Sequence, residues 1–365
     1  MNLKEQSILF FPRTMNMGGT SNVLLQLCEI LQPCVYKIVV CSTGGVMTEN
    51  LKDMGIKHYK IPDVCKKTPI NTMHVIRQVA DIIDNEGITI VHTHHRMSAL
   101  YTAILKRKKT FVFINTSHNT FYNNKILTRF AYKNANLIAC GEMVKKNLID
   151  YYKLPEKQIK VIRNAVKPFD GSIVEDPLIK SLHDNGNFVV GNIGRLSEQK
   201  GMEYYIKAVP DVLEKYPNVS FLIIGSGEDE ERLRDLVKKL GIESSVYFTG
   251  YRTDIQNIMS QLDLIVLSSL WEGLPLTPIE AFSVGKTIVA TAVDGTVEIV
   301  EDDKSGVLIS PRDFSQIADK INWAIDHPNR IKDMEIAAKQ KYENEFSFET
   351  LRQNYLSYYK NLEEW

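Results

Sequence analysis

Two glutamates eight residues apart, Glu272 and Glu280, stand in the run Ser269–Phe282 (SLWEGLPLTPIEAF). A carboxylate is an acceptor only and can take two neighbouring hydroxyls at once, so the pair suits a ligand rich in hydroxyls. The apolar stretch Leu262–Ser268 ahead of them has the length of a buried strand, and Pro278–Val284 carries a helical pattern. The segment therefore reads as a strand, a loop and a helix, with the loop leaving the carboxyl edge where open α/β sheets bind ligands. Free backbone N–H groups at such a helix start suit a phosphate. The same residues also spell a capping box, with Thr277 as N-cap, Pro278 at the first helical position and Glu280 three residues past the cap. Glu280 thus has a structural use open to it besides a ligand. Glu272, beside Gly273, reads as an exposed loop carboxylate.

A second group lies in Gly191–Gly201 (GNIGRLSEQKG), where a strand over Phe188–Ile193 runs into Gly194-Arg195 and then Lys200-Gly201. Arg195 offers a bidentate fork and Lys200 a compact charge, a combination suited to a diphosphate. The chain contains no Asp-x-Asp to hold a metal against such a group. These cations are expected to do that work, with no metal and no other cofactor. Near the N-terminus, Arg13–Gly19 leads into the pair Gly18-Gly19, and the helix that follows opens with Thr20, Ser21 and Asn22. That turn carries no acid, so its N–H groups and dipole are free for an anion. His92, His94 and His95 end the strand Ile88–His92, and His118 lies in Asn115–Thr120 after the next strand. Histidines this close invite a zinc site. Yet an extended segment sends His94 and His95 to opposite sides, no acidic or cysteine ligand is near in sequence, and none is expected. Gly225-Ser226-Gly227 invites a dinucleotide site, but Glu230 occupies the third glycine's place and Glu228, Asp229, Glu230 and Glu231 would repel a pyrophosphate. Tyr251, in Thr249–Arg252, offers a stacking face for a base.

These motifs resemble the retaining family 4 glycosyltransferases of the GT-B fold, which move a sugar from a nucleotide sugar. The likeness runs along nearly the whole chain and is densest from Gly191 to Gly306. It implies an α/β protein of two Rossmann-like parallel-sheet domains facing across a cleft, with a C-terminal helix crossing back to the first domain. By the same resemblance, Glu272 holds hydroxyls of the donor sugar, Glu280 holds the ribose, and Arg195 and Lys200 meet the charge on the leaving diphosphate. His118 lies beside the donor sugar. Gly18, Gly19, Gly194, Tyr251, Arg252, Gly273, Leu274, Pro275, Leu276 and Thr277 complete the donor site, and the acceptor side falls to His94 and Asn16. Asp294–Val300, around Gly295 and Glu298, matches a loop and helix of the family. The chain departs from the pattern at Ser21, where the family often has an acid, and at Ala165 and Lys167, so only Asn164 carries over there, as structure. The implied reaction takes a hexose or N-acetylhexosamine from a nucleotide diphosphate, with UDP as the expected carrier, to a saccharide acceptor in surface polysaccharide or glycan synthesis. A nucleotide-sugar epimerase of the same fold would isomerise the donor without an acceptor, and a non-catalytic partner would bind nucleotide sugar without turnover.

The supporting elements alternate short apolar runs with amphipathic stretches, the pattern of doubly wound parallel sheets. The 365 residues suit two domains: residues 1–166, a linker over 167–187 without periodicity, residues 188–345, and a last helix over 346–365. The five cysteines show no Cys-x-x-Cys spacing and read as reduced thiols. No secretion leader and no spanning run are expected, and the reading is cytoplasmic with no nucleic-acid partner. Net charge is zero, but residues 1–170 hold 24 Lys and Arg against 12 Asp and Glu, and the rest hold 20 against 32. The basic half is expected to face something anionic. One candidate is a membrane surface carrying a lipid-linked saccharide, approached through Lys106–Lys109 and the apolar Leu100–Leu105, with Arg129, Lys133, Lys145 and Lys146 nearby.

Overall fold

The central apolar runs of the first half, buried on both faces and covered by helices on both sides, pair in parallel, and more exposed strands join them at the edges. In the computed structural model, which describes residues 1–169 and 171–362, they form seven strands: β1 (Ser7–Phe11), β2 (Lys37–Ser42), β3 (Lys57–Lys60), β4 (Ile90–Thr93), β5 (Val112–Ser117), β6 (Asn136–Ala139) and β7 (Ile159–Val161). Their order is β3-β2-β1-β4-β5-β6-β7. This sheet belongs to a unit made of Met1–Asn164 and the chain from Glu349 on. The second unit, Ala165–Phe348, carries β8 (Phe188–Ile193), β9 (Val219–Ile224), β10 (Val246–Gly250), β11 (Leu264–Leu267), β12 (Ile288–Thr291) and β13 (Val307–Ile309) in the order β10-β9-β8-β11-β12-β13. The two Rossmann-like parallel sheets expected from the sequence are both present.

Each sheet reverses its strand order once, at β1/β4 in the first and at β8/β11 in the second. The helices on either side of such a reversal diverge and leave a crevice at the carboxyl ends. The motifs singled out above sit there. Gly194–Gly201 follows β8 and Ser268–Thr277 follows β11, while Arg13–Gly19 follows β1 and His94 follows β4. Beneath the second crevice, Val190, Phe221, Val266 and Tyr205 are buried in one core, and the Tyr205 hydroxyl donates to the Val190 carbonyl at 2.9 Å.

Several expectations change. The stretch over 167–187 is not all linker, because Pro177–Asp184 is a helix, capped by Asp176, whose side chain accepts from the N–H groups of Leu178 and Ile179. An Asp followed by Pro at the first helical position is a helix-start signal that outweighs the surrounding turn residues. Asp170, within the same stretch, lies outside the described residues. Strands β3, β6, β7 and β13 were not legible; three of them lie at sheet edges, where one side of a strand needs no apolar partner. Leu100–Leu105 is no membrane patch: it forms part of the helix Arg96–Leu105, whose Tyr101 and Leu105 are buried. Of the basic run that follows, Lys106 donates to the Phe111 carbonyl and Lys109 pairs with Asp84, leaving Arg107 and Lys108 exposed. The last helix is Phe348–Lys360, and Glu363–Trp365 lie outside the described residues. Its Tyr359 hydroxyl meets His92 Nδ1 at 2.7 Å, which ties the helix to the first sheet.

Candidate active site

The loop after β8 folds back on itself, so that the methylenes of Lys200 lie over Gly194, where an added Cβ would come within 3.2 Å of them. The short turn Glu198–Lys200 ends at Gly201, and Ser268 Oγ donates to the Lys200 carbonyl at 3.0 Å. Leu270 N–H donates to the Gln199 carbonyl at 2.8 Å and Gln199 Nε2 to that of Trp271 at 3.0 Å. The loops after the two central strands are thereby clamped together. The clamp brings Lys200 Nζ to 2.6 Å from Glu272 Oε1, which also accepts from Ser269 Oγ at 2.7 Å.

Glu272 is therefore not an exposed loop carboxylate: its side chain is 7% accessible and that of Lys200 17%. A buried ion pair of this kind is costly to desolvate and is weak evidence for stability, so its presence at a sheet's crevice points to ligand binding. Both protein bonds fall on Oε1, leaving Oε2 for a ligand's hydroxyls. The loop is held from below as well, since Glu272 N–H donates to Asp294 Oδ2 at 3.1 Å. Ser269 and Asp294 lie in segments that the sequence singles out, but neither is given a role there, although Asp294-Gly295 carries a turn signature.

The capping box is not formed. The helix runs from Leu276 to Ser283 with Pro275 as N-cap and no side-chain capping bond. It starts earlier than expected because Pro278 lacks an N–H and is tolerated anywhere in a first turn, where no intrahelical partner exists. The N–H groups at this start are left for a ligand, and Glu280 is released from capping. Its side chain lies in a recess that solvent reaches only in part, and no hydrogen bond holds its carboxylate among the described residues. Burial pushes its pKa up to about 7, against a smaller downward pull from Lys200. Glu280 and the Lys200–Glu272 pair thus share one electrostatic neighbourhood.

Arg195 projects from the same loop, 72% accessible, with Nε donating to Glu228 at 3.0 Å. Tyr251 is exposed at the end of β10. Arg252 is bound to Asp176 and Asp254, each at 2.8 Å, and so bridges the Pro177–Asp184 helix to the loop after β10. Gly225 and Gly227 serve neighbouring backbone: a Cβ on Gly225 would lie 1.9 Å from the Gly194 carbonyl oxygen, and one on Gly227 would lie 2.2 Å from that of Leu196.

In the first unit, β4 and β5 are neighbours, so the loops after them bring His94 Nδ1 to 2.9 Å from His118 Nε2. His92 lies beneath, 4.4 Å from His94 between ring centroids, with Nε2 2.7 Å from Thr116 Oγ1. Burial lowers His92 to about 3 and His118 to about 4, and drives His94 well below the ordinary histidine value. All three are neutral near pH 7, so they can orient hydroxyls but cannot neutralise a phosphate. His95 points elsewhere and accepts from Met97 N–H at 3.2 Å. Among the described residues no group of three His, Cys, Asp or Glu is placed to hold a metal. Gly18 is the N-cap of Gly19–Leu31 with no side-chain capping bond, and Asn16 is exposed in the loop ahead of it.

Gly295 gives a test of how far the loop's position matters. Its φ of −69° suits any residue, yet a Cβ there would sit 1.9 Å from the Gly273 carbonyl oxygen. Gly295→Ala must therefore push the Glu272 loop aside, at about 1–3 kcal/mol of overpacking. We expect kcat/KM to fall at least tenfold, with the midpoint of thermal unfolding lowered by a few degrees. Wild-type kinetics in this variant would show that the loop's position is not decisive.

Comparison with known proteins agrees with this geometry. Residues 17–168 match the model described as glycosyltransferase family 4, and residues 175–341 match that of glycosyl transferases group 1. An uncharacterised glycosyltransferase of Methanocaldococcus jannaschii is 26% identical over 342 residues, covering 85% of each chain. The Escherichia coli UDP-Gal:alpha-D-GlcNAc-diphosphoundecaprenol alpha-1,3-galactosyltransferase is 28% identical over 321 residues, covering 82% of each. Among solved structures, Anabaena HepE in complex with UDP-glucose superposes with a TM-score of 0.85 at 21% identity, covering 98% of this chain and all of that one. The fold is GT-B and the protein is a transferase enzyme. It belongs to the family 4 glycosyltransferases.

Proposed function

We propose that the enzyme transfers a hexose or N-acetylhexosamine from a UDP-sugar, with retention of the anomeric configuration, to a lipid-diphosphate-linked saccharide. The observation that carries this reading is the buried Lys200–Glu272 pair beside Gly194 and Glu280. A diphosphate seated against Lys200 takes its remaining donors, Glu272 turns Oε2 to the sugar hydroxyls, and Glu280 accepts from the ribose. As the bond from C1 to the diphosphate oxygen breaks, charge grows on the leaving group and is met by Lys200 and Arg195. The acceptor oxygen bonds to C1 on the face being vacated, and its proton passes to the departing phosphate oxygen. No side chain forms a covalent intermediate in this scheme, and the protein's part is position and charge. Support for the donor and acceptor classes comes from the similar Escherichia coli enzyme, whose name specifies UDP-galactose and a diphosphoundecaprenol-linked sugar, and from the UDP-glucose held by the similarly folded Anabaena protein.

The test is incubation with UDP-sugars and a lipid-diphosphate saccharide, with the product anomer read by NMR. An α-linked product from an α-donor supports the reading. An inverted anomer would remove retention, and an isomerised donor without acceptor would favour an epimerase.

Glu280 adds a pH dependence. Its pKa is raised above the ordinary carboxyl value to about 7, so in the ligand-free protein stability falls as pH rises toward 7 and the buried group must ionise. Ribose hydroxyls are better accepted by the carboxylate than by the acid. The affinity for a UDP-sugar, whose diphosphate does not titrate in this range, should rise about tenfold per pH unit below 7 and level off above it. Glu280→Gln should flatten this profile and weaken binding about 10- to 100-fold at pH 8, the scale of one bond to a charged group. Calorimetry from pH 5.5 to 8.5 checks both, and a flat wild-type profile would remove Glu280 from the ribose.

A further inference from the structure

The helix Lys125–Tyr132 is turned inside out. It buries Thr128, Ala131 and Tyr132 against the first unit and exposes its large apolar side chains, with Ile126 88% and Phe130 47% accessible. Leu127 and, just ahead of the helix, Tyr122 are exposed with them. Apolar residues scattered singly on a surface need no explanation, but a helix that reverses its own amphipathic face does. The cations on this stretch are Lys125, Arg129 and Lys133, all exposed, and residues 119–134 contain no carboxylate.

A second stretch has the same character. The helix Pro69–Asn85 begins with Ile70 and Met73, 83% and 72% accessible, beside exposed Lys66, Lys67 and Arg77, and residues 64–80 contain no carboxylate. The two helices follow β3 and β5 of one sheet, and the helix Arg96–Leu105 packs against both. Their N-terminal ends therefore lie at the same carboxyl edge, where exposed apolar side chains are interleaved with cations and the neighbouring carboxylate, Asp63, is paired with Arg13.

We propose that this edge of the first unit docks on an anionic lipid bilayer, through Ile126 and Phe130 with Lys125, Arg129 and Lys133, and Ile70 and Met73 alongside. Apolar side chains set among lysines and arginines, with no carboxylate in either stretch, match the boundary between acyl chains and anionic headgroups. A protein partner of ordinary composition would not require that exclusion of acids. The purpose of the docking rests on the lipid-linked acceptor proposed above, since it would bring the site to its substrate in the bilayer plane. The docking itself does not depend on the donor site.

The experiment is co-sedimentation of the full chain with vesicles of phosphatidylcholine containing phosphatidylglycerol, against phosphatidylcholine alone. Wild-type protein should bind only the anionic vesicles and dissociate as salt is raised. Ile126→Ser with Phe130→Ser, at exposed positions that leave the fold intact, should weaken binding at least tenfold, and each of Lys125→Ser, Arg129→Ser and Lys133→Ser about fivefold. Transfer to a water-soluble short-chain acceptor should be unchanged in these variants, while transfer to a vesicle-embedded acceptor falls. Wild-type protein that stays in the supernatant at low salt would overturn the proposal, as would variants that bind like wild type. A wild-type dimer made monomeric by Ile126→Ser with Phe130→Ser would overturn it in favour of an interface between copies. Docking without any transfer to a lipid-linked acceptor would support the surface and overturn the acceptor reading alone.

Discussion

Replacing Lys200 by alanine is expected to lower turnover by about three orders of magnitude, the scale of losing about 4 kcal/mol of fixed charge at a leaving diphosphate. The substitution acts twice, because Lys200 Nζ also neutralises Glu272 at 2.6 Å. Glu272 would be left with Ser269 as its side-chain partner in a nearly dry setting, which should cost about 1–3 kcal/mol of stability, less than a fully buried pair because Lys200 retains some contact with water. The two effects separate in the double variant Lys200→Ala with Glu272→Ala. Removing both charges should restore most of the lost stability and none of the lost turnover. Steady-state kinetics and urea denaturation on the three variants check this, and a Lys200→Ala enzyme within tenfold of wild-type kcat would remove Lys200 from the chemistry.

Arg195→Ala should cost two to three orders of magnitude in turnover for the same electrostatic reason, with almost no loss of stability. Its bond to Glu228 joins two groups that are mostly in water, and such pairs contribute about 0–1 kcal/mol. The guanidinium is therefore free to exchange Glu228 for a phosphate at little cost. Glu228→Ala should leave turnover at or above the wild-type level, which distinguishes a working cation from a surface ion pair. The chain's lack of Asp-x-Asp leads to a linked expectation, that transfer persists in EDTA. Activity lost in EDTA and restored by Mn²⁺ or Mg²⁺ would assign the leaving group's charge to a metal. Arg195→Ala with wild-type kcat would remove Arg195 from that role.

Much of this enzyme is written locally in its sequence. The strands at the sheet centres are continuous apolar runs because both their faces are covered, so β1, β8 and β11 stand out with no knowledge of their partners. The Glu272–Glu280 spacing and the Gly194-Arg195 to Lys200 spacing are equally plain, since each lies within one short stretch of chain whose chemistry depends on residue type. The Asp176-Pro177 helix start was also in the letters, though masked by the turn residues around it. Only the tertiary structure decided what these groups do to one another. Lys200 and Glu272 are 72 residues apart and meet because β8 and β11 are neighbours at the point where the strand order reverses. Glu280 could have been a helix cap, and the placement of Pro275 as N-cap instead left its carboxyl in a recess with a raised pKa. Burial likewise turned Tyr101 and Leu105 inward and Ile126 and Phe130 outward, although all four are large, largely apolar side chains on helices. Hydrophobicity is a property of a side chain, whereas burial depends on which neighbouring elements arrive to cover it, and that is fixed only when the sheet and its helices assemble.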